Sequence, residues 1–459
     1  MREAGQENRY VKSITMDNHI MSLTVPMLAR RKEESQSLEW IETSIWTERM
    51  LAALGNGVKG GKWYSLMDKL CRYSTLKAAW LRVKANRGSA GVDKVSIEQF
   101  EAQADKYLLE LESALKEERY QVQSIKRVYI PKSDGKMRPL GIPTVKDRIV
   151  QMGLKLVIEP IFEHEFLDVS YGFRPQRGCK DALRQVDGQL KSGLAWVVDA
   201  DIQGYFDNIP HERLLSLVAE RISDQAILGL IKAYLQQDIM DGVKQWTPIK
   251  GSPQGAVISP LLANIYLHEL DKEMTRQRYQ LIRYADDSVV LCKNESEAKE
   301  ALNLMRKWME EQGLTLHPDK THIGDSRVSG QGFEFLGYRF ESGRRYVRNK
   351  SYKALRDKIR DKTKRTRGNS MKAIIDDLNP MLRGWFGYFK HAYYTTFAYT
   401  DGFIRRRLRA IRRKQQKRPG MGRCHKDHIM WPNTYFANLG LFTMKEAWEF
   451  ARQPRCGNY

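Results

Sequence analysis

The chain has 459 residues, 42% of them hydrophobic, enough for two to four domains with real cores, which excludes a disordered chain. Its 77 Lys and Arg against 55 Asp and Glu leave a formal charge of +22, the imbalance of a protein that neutralises a polyanion, with nucleic acid the first candidate. No run approaches the ~18 apolar residues of a membrane span, and the N-terminus, with Glu3, Glu7 and Asp17, lacks the layout of a secretory signal. Five scattered cysteines form no disulfide framework, so a reducing, cytoplasmic setting is expected.

In chain order, residues 36–84 and 96–118 carry helical periodicity, broken by the glycine-rich NRGSAGVD from Asn86 to Asp93. RVYIPKSDGKMRPLGIP, from Arg127, reads as two strands joined at Ser133, Asp134 and Gly135, followed by a helix from about Lys146. AWVVDADIQGYFDNIP, from Ala195, predicts a buried strand ending in acids at Asp199 to Asp201, with helices at about 211–221 and 224–237 after it. LIRYADDSVVLC, from Leu281, predicts a hairpin with Ala285, Asp286 and Asp287 at its tip. Asn294 and Glu297 resemble a capping box for a helix to about Gln312, closed by Gly313. Strand, helices, hairpin, helix and strand in that order make a split βαβ arrangement, which can bring Asp201 beside Asp286.

Two adjacent aspartates aimed at one space repel each other unless a cation lies between them. Magnesium suits them, being a hard ion that takes a few carboxylates together with substrate phosphates. Asp201, Asp286 and Asp287 could hold two such ions ~3.5–4 Å apart, the arrangement for in-line phosphoryl transfer. Asp199 is set aside as lying farther from the strand end, and Asp207 as a turn residue. The bland alternative is a solvated Asp-Asp turn.

The excess charge is concentrated near the C-terminus. From Ser351 to Arg423 there are 21 Lys and Arg against 5 Asp and Glu, which supplies 16 of the 22 net charges. Arg405, Arg406, Arg407, Arg409, Arg412, Arg413, Lys414, Lys417 and Arg418 are too dense to pair internally and would suit phosphates along an RNA or DNA backbone. Aromatics from Trp385 to Tyr399 precede them, some necessarily core.

ADIQGYFDNI with RYADD resembles the palm motifs of reverse transcriptases. IPKSDGKMRPLGIPTVKDRIVQ, YGFRPQRGCKDAL, GSPQGAVISPLLANIYLHELD and GLTLHPDKTHIG resemble, in family order, those of group II intron-encoded reverse transcriptase/maturases. LNPMLRGWFGYFKHA, Leu378 to Ala392, and WPNTYFANLGLFTMKEA resemble the maturase region of that family, so the likeness runs over about residues 60–450.

The resemblance implies Asp201, Asp286 and Asp287 as catalytic and metal-holding residues, with the Ile202 carbonyl completing a site for two Mg2+ ions. Lys132 and Arg138 match triphosphate contacts, Phe206 the bulky gate against a ribose 2′-hydroxyl, and Gln254 in SPQG a polar contact beside the new base pair, where Gly255 would let backbone approach. Lys320 matches a family lysine. The His-Asn-His endonuclease of many relatives is not expected, nor nicking of a second DNA strand. Cys424, His425, His428 and Cys456 lack the spacing of a zinc site.

The expected fold is α+β, a right-hand polymerase with a split-βαβ palm, fingers and an α-helical thumb/maturase domain. The expected division is an N-terminal extension at 1–60, fingers and palm at 61–343, and thumb with basic C-terminal region at 344–459. The expected function is RNA-directed DNA synthesis together with binding of a group II intron RNA to assist splicing and mobility. Its partners would be that RNA, a DNA target and primer, and deoxynucleoside triphosphates, with no membrane and a homodimer left open. The alternatives are a CRISPR-associated or diversity-generating reverse transcriptase, or a splicing factor without polymerase activity.

Overall fold

The computed structural model describes residues 39–131, 135 and 137–452. Its central sheet has the order β6-β7-β3-β8, built from β3 (Trp196–Asp201), β6 (Gln280–Tyr284), β7 (Asp287–Cys292) and β8 (His322–Asp325), with every pair antiparallel. Helices intervene at His211–Ala219, Gln225–Leu235 and Ser259–Arg276 before the hairpin and at Glu295–Glu311 after it, the expected split βαβ order.

Strand residues alternate between two cores. Val198, Ala200, Leu281 and Val290 join the large core formed with the N-terminal helices and Val145–Glu163. Their neighbours Val197, Ile282, Val289 and Leu291 join a second core made with the C-terminal region. A period of two buried on both faces yields the near-continuous apolar runs seen in the sequence. The sheet is therefore covered on both sides, with Asp201 and Asp287 half-buried at the strand ends.

A second sheet, order β2-β1-β4-β5, contains the expected hairpin of β1 (Ile125–Pro131) and β2 (Met137–Ile142). Its other strands, β4 (Ile239–Asp241) and β5 (Lys244–Trp246), were not anticipated, since three-residue strands leave little periodicity; β4 pairs in parallel with β1. A third sheet, β9 (Phe333–Phe335), β10 (Tyr338–Glu341) and β11 (Arg344–Val347), straddles residue 343. Arg345 in it ion-pairs with Asp187 of the helix Cys179–Lys191, which ties the C-terminal region to the palm.

The N-terminal helical stretches are more broken than periodicity suggested. Instead of one run there are Glu48–Asn56, Met67–Leu70 and Tyr73–Asn86, then Ile97–Glu101 and Ala104–Lys116. Gly57, Gly60 and Gly61 take positive φ between the first two, where a helix cannot continue. Ile41, Ile45 and Trp46 are buried in the large core, and the Trp46 indole donates to the Leu156 carbonyl at 3.1 Å, so these three side chains anchor the N-terminal segment on the helix Val145–Glu163. Residues 36–38 of the expected run lie outside the described residues.

Candidate active site

β6 ends at Tyr284 and β7 begins at Asp287, and these two residues pair, so the hairpin loop is Ala285 and Asp286 alone. Asp287, expected at the tip, is instead a strand residue. It stands directly opposite Asp201 of β3. Opposed residues project from the same face, and Asp199, two back from Asp201, shares it. Asp286 sits just beyond, on the turn. The register thus gathers the three predicted acids at one end of the sheet, with Asp199 immediately behind.

The crowding has an electrostatic signature. Burial, then the charges of Asp199, Asp286 and Asp201, push Asp287 up to about 7. Burial chiefly, with Asp201 adding, pushes Asp199 up to about 7. Asp286 is raised by burial and by Asp201, while Arg138 and Lys320 pull it down. Asp207 is exposed, in the short helix Tyr205–Asn208.

A hard divalent cation is the natural counter-charge for an all-oxygen donor set. Asp201 is turned to the Lys320 ammonium, which donates to its Oδ2 at 2.7 Å. Among the described residues no three His, Cys, Asp or Glu side chains converge as they stand to hold an ion. The donors fit Mg2+ in type and register, and Lys320 occupies only the Oδ2 of Asp201. Ile202 is buried beside Asp201, its backbone bridging to Leu316.

The loop is held from beneath by residues that motif reading missed. Ala285 has φ 59°, a left-handed conformation that costs a residue with a Cβ ~1–2 kcal/mol. Arg283 is 1% exposed; its Nη1 donates to the Ala285 carbonyl and to Asn264 Oδ1, each at 3.0 Å, and its Nε to Asp271 Oδ1 at 2.7 Å. Asn264 in turn donates to the Gly172 carbonyl at 2.8 Å. Gly172 lies so close that a Cβ there would stand 2.3 Å from the Ala285 nitrogen. The available signal was an arginine inside an otherwise apolar strand, which requires a buried acceptor.

On the other side of the cleft, Arg138 Nε donates to Gln254 Oε1 at 2.8 Å. Both line a cavity of about 420 Å³ together with Phe206, and Arg87 and Lys155, unnoticed in the sequence, add positive charge to its wall. The close approach that Gly255 permits is to β2: a Cβ on it would stand 2.5 Å from the Gly141 carbonyl, and Gly141 donates its N–H to the Gln254 carbonyl at 2.7 Å. This packing on β2 is by itself a reason for a glycine at that position. Lys132 lies outside the described residues.

The basic segment is divided by the fold. It lies on the helix Thr395–Gln415 and the residues just after it. Arg409 is 3% exposed and donates to the Trp431 carbonyl at 2.9 Å and to Asn433 Oδ1 at 3.0 Å. Arg413 ion-pairs with Asp427 at 2.6 Å and donates to the Pro419 carbonyl at 2.7 Å, with Cys424 Sγ 3.3 Å away. Arg407 donates to Thr363 and to the Arg360 carbonyl. These three are corrected to internal cross-links, against the expectation that the segment is too dense to pair internally. Arg412 lies over the Tyr435 ring and Arg418 contacts Met430, while Arg405 and Arg406 are half-buried and Lys414 and Lys417 exposed. His425 and His428 are exposed, and Cys456 lies outside the described residues.

Comparison with known proteins bears on the whole arrangement. Residues 130–340 match the reverse transcriptase (RNA-dependent DNA polymerase) family, and residues 352–430 the group II intron maturase-specific domain. Protein YkfC of Escherichia coli is 35% identical over 291 residues, which are 54% of this chain and 75% of that protein. The chain belongs to the group II intron-encoded reverse transcriptase/maturases. Within that family, the group II intron-encoded protein LtrA of Lactococcus lactis is 36% identical over 223 residues, 48% of this chain. The putative COX1/OXI3 intron 2 protein of Saccharomyces cerevisiae is 26% identical over 378 residues, 69% of this chain. The matches take in 37% of LtrA and 43% of the yeast protein, so the chain spans less than half the length of either. The family's α+β polymerase fold, with palm sheet, fingers sheet and helical C-terminal region, accounts for the architecture above.

Proposed function

We propose that this chain is an RNA-directed DNA polymerase which also binds a group II intron RNA and assists its splicing and mobility. The observation that carries the polymerase reading is the opposition of Asp201 and Asp287 across β3 and β7, with Asp286 on the adjoining turn. Mg2+, two ions in the proposal, would be held by Asp201, Asp286, Asp287 and the Ile202 carbonyl, and would supply activation of the primer hydroxyl and stabilisation of the leaving phosphate.

The remaining work falls to other side chains. Arg138, held by Gln254, presents a planar fork to the triphosphate of a deoxynucleotide, with Lys132 as a second charge. Phe206, on the wall of the same cavity, limits the space beside the sugar. Lys320, donating to Asp201 Oδ2, offsets its charge beside the other acids.

The match of residues 352–430 to the maturase-specific domain supports intron RNA as a partner. DNA primer and target, and a cytoplasmic setting, complete the reading. A single chain carries every residue the reading uses, and a homodimer is left open. Among the described residues no helix is long and apolar enough to cross a membrane. We further propose the division into an N-terminal segment to residue 60, fingers and palm to 343, and a thumb/maturase region beyond.

Asp286→Asn tests the reading, since it keeps shape and removes charge. Extension of a DNA primer on an RNA template should fall by at least ~10²-fold, about 2.7 kcal/mol of transition-state stabilisation, while RNA binding is retained. Near-normal extension by this variant would exclude the assignment.

A further inference from the structure

Outside the palm, an unusual concentration of like charge surrounds one aromatic ring. Phe403 lies on the helix Thr395–Gln415, and four guanidiniums converge on it: Arg356 at 4.6 Å from the ring centroid, Arg406 at 5.4 Å, Arg360 at 5.7 Å and Arg407 at 5.9 Å. Arg356 and Arg360 come from a second helix, Asn349–Lys362. A fifth arginine is brought in by backbone contact. Gly422, with φ +71°, packs so tightly on the helix that a Cβ would stand 2.9 Å from the Arg406 carbonyl and 2.6 Å from the Ala410 nitrogen, and the next residue is Arg423.

Two of these arginines already have work. Arg407 is spent on Thr363 and nearby carbonyls, and Arg360 pairs with Asp357. Arg356, Arg406 and Arg423 have no ion-pair partner among the described residues, and Arg356 Nε is buried without an acceptor. Burial first, then the charges of Arg423, Arg356 and Arg360, hold Arg406 below the usual arginine range, as expected of cations that face one another without a counterion. Phe403 offsets part of that repulsion, because its ring face attracts cations. An anion with several acceptor oxygens would offset the rest, and planar forks suit a phosphate.

We propose that Arg356 and Arg406, seated on Phe403, and Arg423 beside Arg406 form one pocket for a single backbone phosphate of a bound nucleic acid. The proposal rests on the nucleic-acid-binding reading above and moves its centre from the far end of the basic helix to the seam between two helices. Arg348, which acts electrostatically on Asp199 and Asp287, immediately precedes the helix Asn349–Lys362, and Arg356 lies eight residues further, about 12 Å along that helix. Both a template–primer duplex and a folded intron RNA carry the required phosphodiester.

The test is a salt series on the full chain with two probes, an RNA template annealed to a DNA primer and an unprimed transcript of a group II intron. Each neutralised phosphate contributes roughly 0.7–0.9 to the slope of log affinity against log salt. Arg356→Gln and Arg406→Gln should each lower the slope by up to about one unit, and the double variant by no more than one, because both serve the same phosphate. Loss for one probe alone identifies the source of the phosphate. Arg423→Gln, at an exposed position, serves if either other change lowers thermal stability. Unchanged slopes in all three variants would overturn the pocket, and so would a loss near two units in the double variant, which means separate contacts. A wild-type chain without salt-dependent binding to either probe would instead remove the broader reading.

Discussion

Replacing Arg283 and Asp271 by leucine, singly and together, separates stability from positioning at the hairpin tip. Their side chains are 1% and 0% exposed and joined through both carboxylate oxygens, so neither charge has access to water. Arg283→Leu leaves the Asp271 carboxylate buried and alone, and Asp271→Leu leaves the guanidinium alone; each should cost about 3–5 kcal/mol. The double variant removes both charges. What remains is the Asn264 amide oxygen and the Ala285 carbonyl without their donor, ~1–3 kcal/mol for each such acceptor.

The double variant should therefore cost at least ~2 kcal/mol less than the sum of the singles, read as coupling in a urea double-mutant cycle. Primer extension should not recover with stability. The double variant still lacks the bond to the Ala285 carbonyl, so Asp286 is no longer held, and kcat should stay at least ~10-fold low, with template affinity near normal. A folded double variant with wild-type kcat would refute the positioning role, and a coupling energy below ~0.5 kcal/mol would refute the energetic argument.

Gly172→Ala drives a methyl into the backbone at Ala285, so it should cost ~1–3 kcal/mol and depress extension more than template binding; unchanged kcat would mean the loop moves freely. Phe206→Ala opens the cavity shared with Arg138 and Gln254, and discrimination against ribonucleotides, measured as a ratio of kcat/KM values, should fall ~10-fold or more; an unchanged ratio counts against the gate. Burial pushes Asp147 up to about 6, so the fold holds a proton there that the unfolded chain, near 3.9, gives up. Its contribution is full below about pH 4 and is lost as pH rises through 6, at most about 3 kcal/mol, and Asp147→Asn should flatten the urea midpoint over that range. An equally steep profile in the variant would place the titration elsewhere.

What chain order and residue type determine was legible at once. Alternating apolar residues in WVVDAD and DSVVLC gave strands, Asn294 gave a helix start, and the predicted acids fell at strand ends, because these are local properties of backbone and side chain. Family motifs then located Arg138, Phe206 and Gln254, which the fold brings to one cavity. Register was not legible, since nothing along the chain states which residue of β3 faces Asp287; the packing of both sheet faces fixes it.

The arginines make the same point. In the sequence Arg406, Arg407 and Arg409 are interchangeable members of one run. Helical geometry turns them to different faces, and only the segments folded against each face decide that Arg409 is buried on Trp431, Arg407 is tied to Thr363, and Arg406 is left among other cations. Charge is written in the sequence, whereas its neutralisation depends on groups tens of residues away, so which charges remain free for a ligand is decided by tertiary structure.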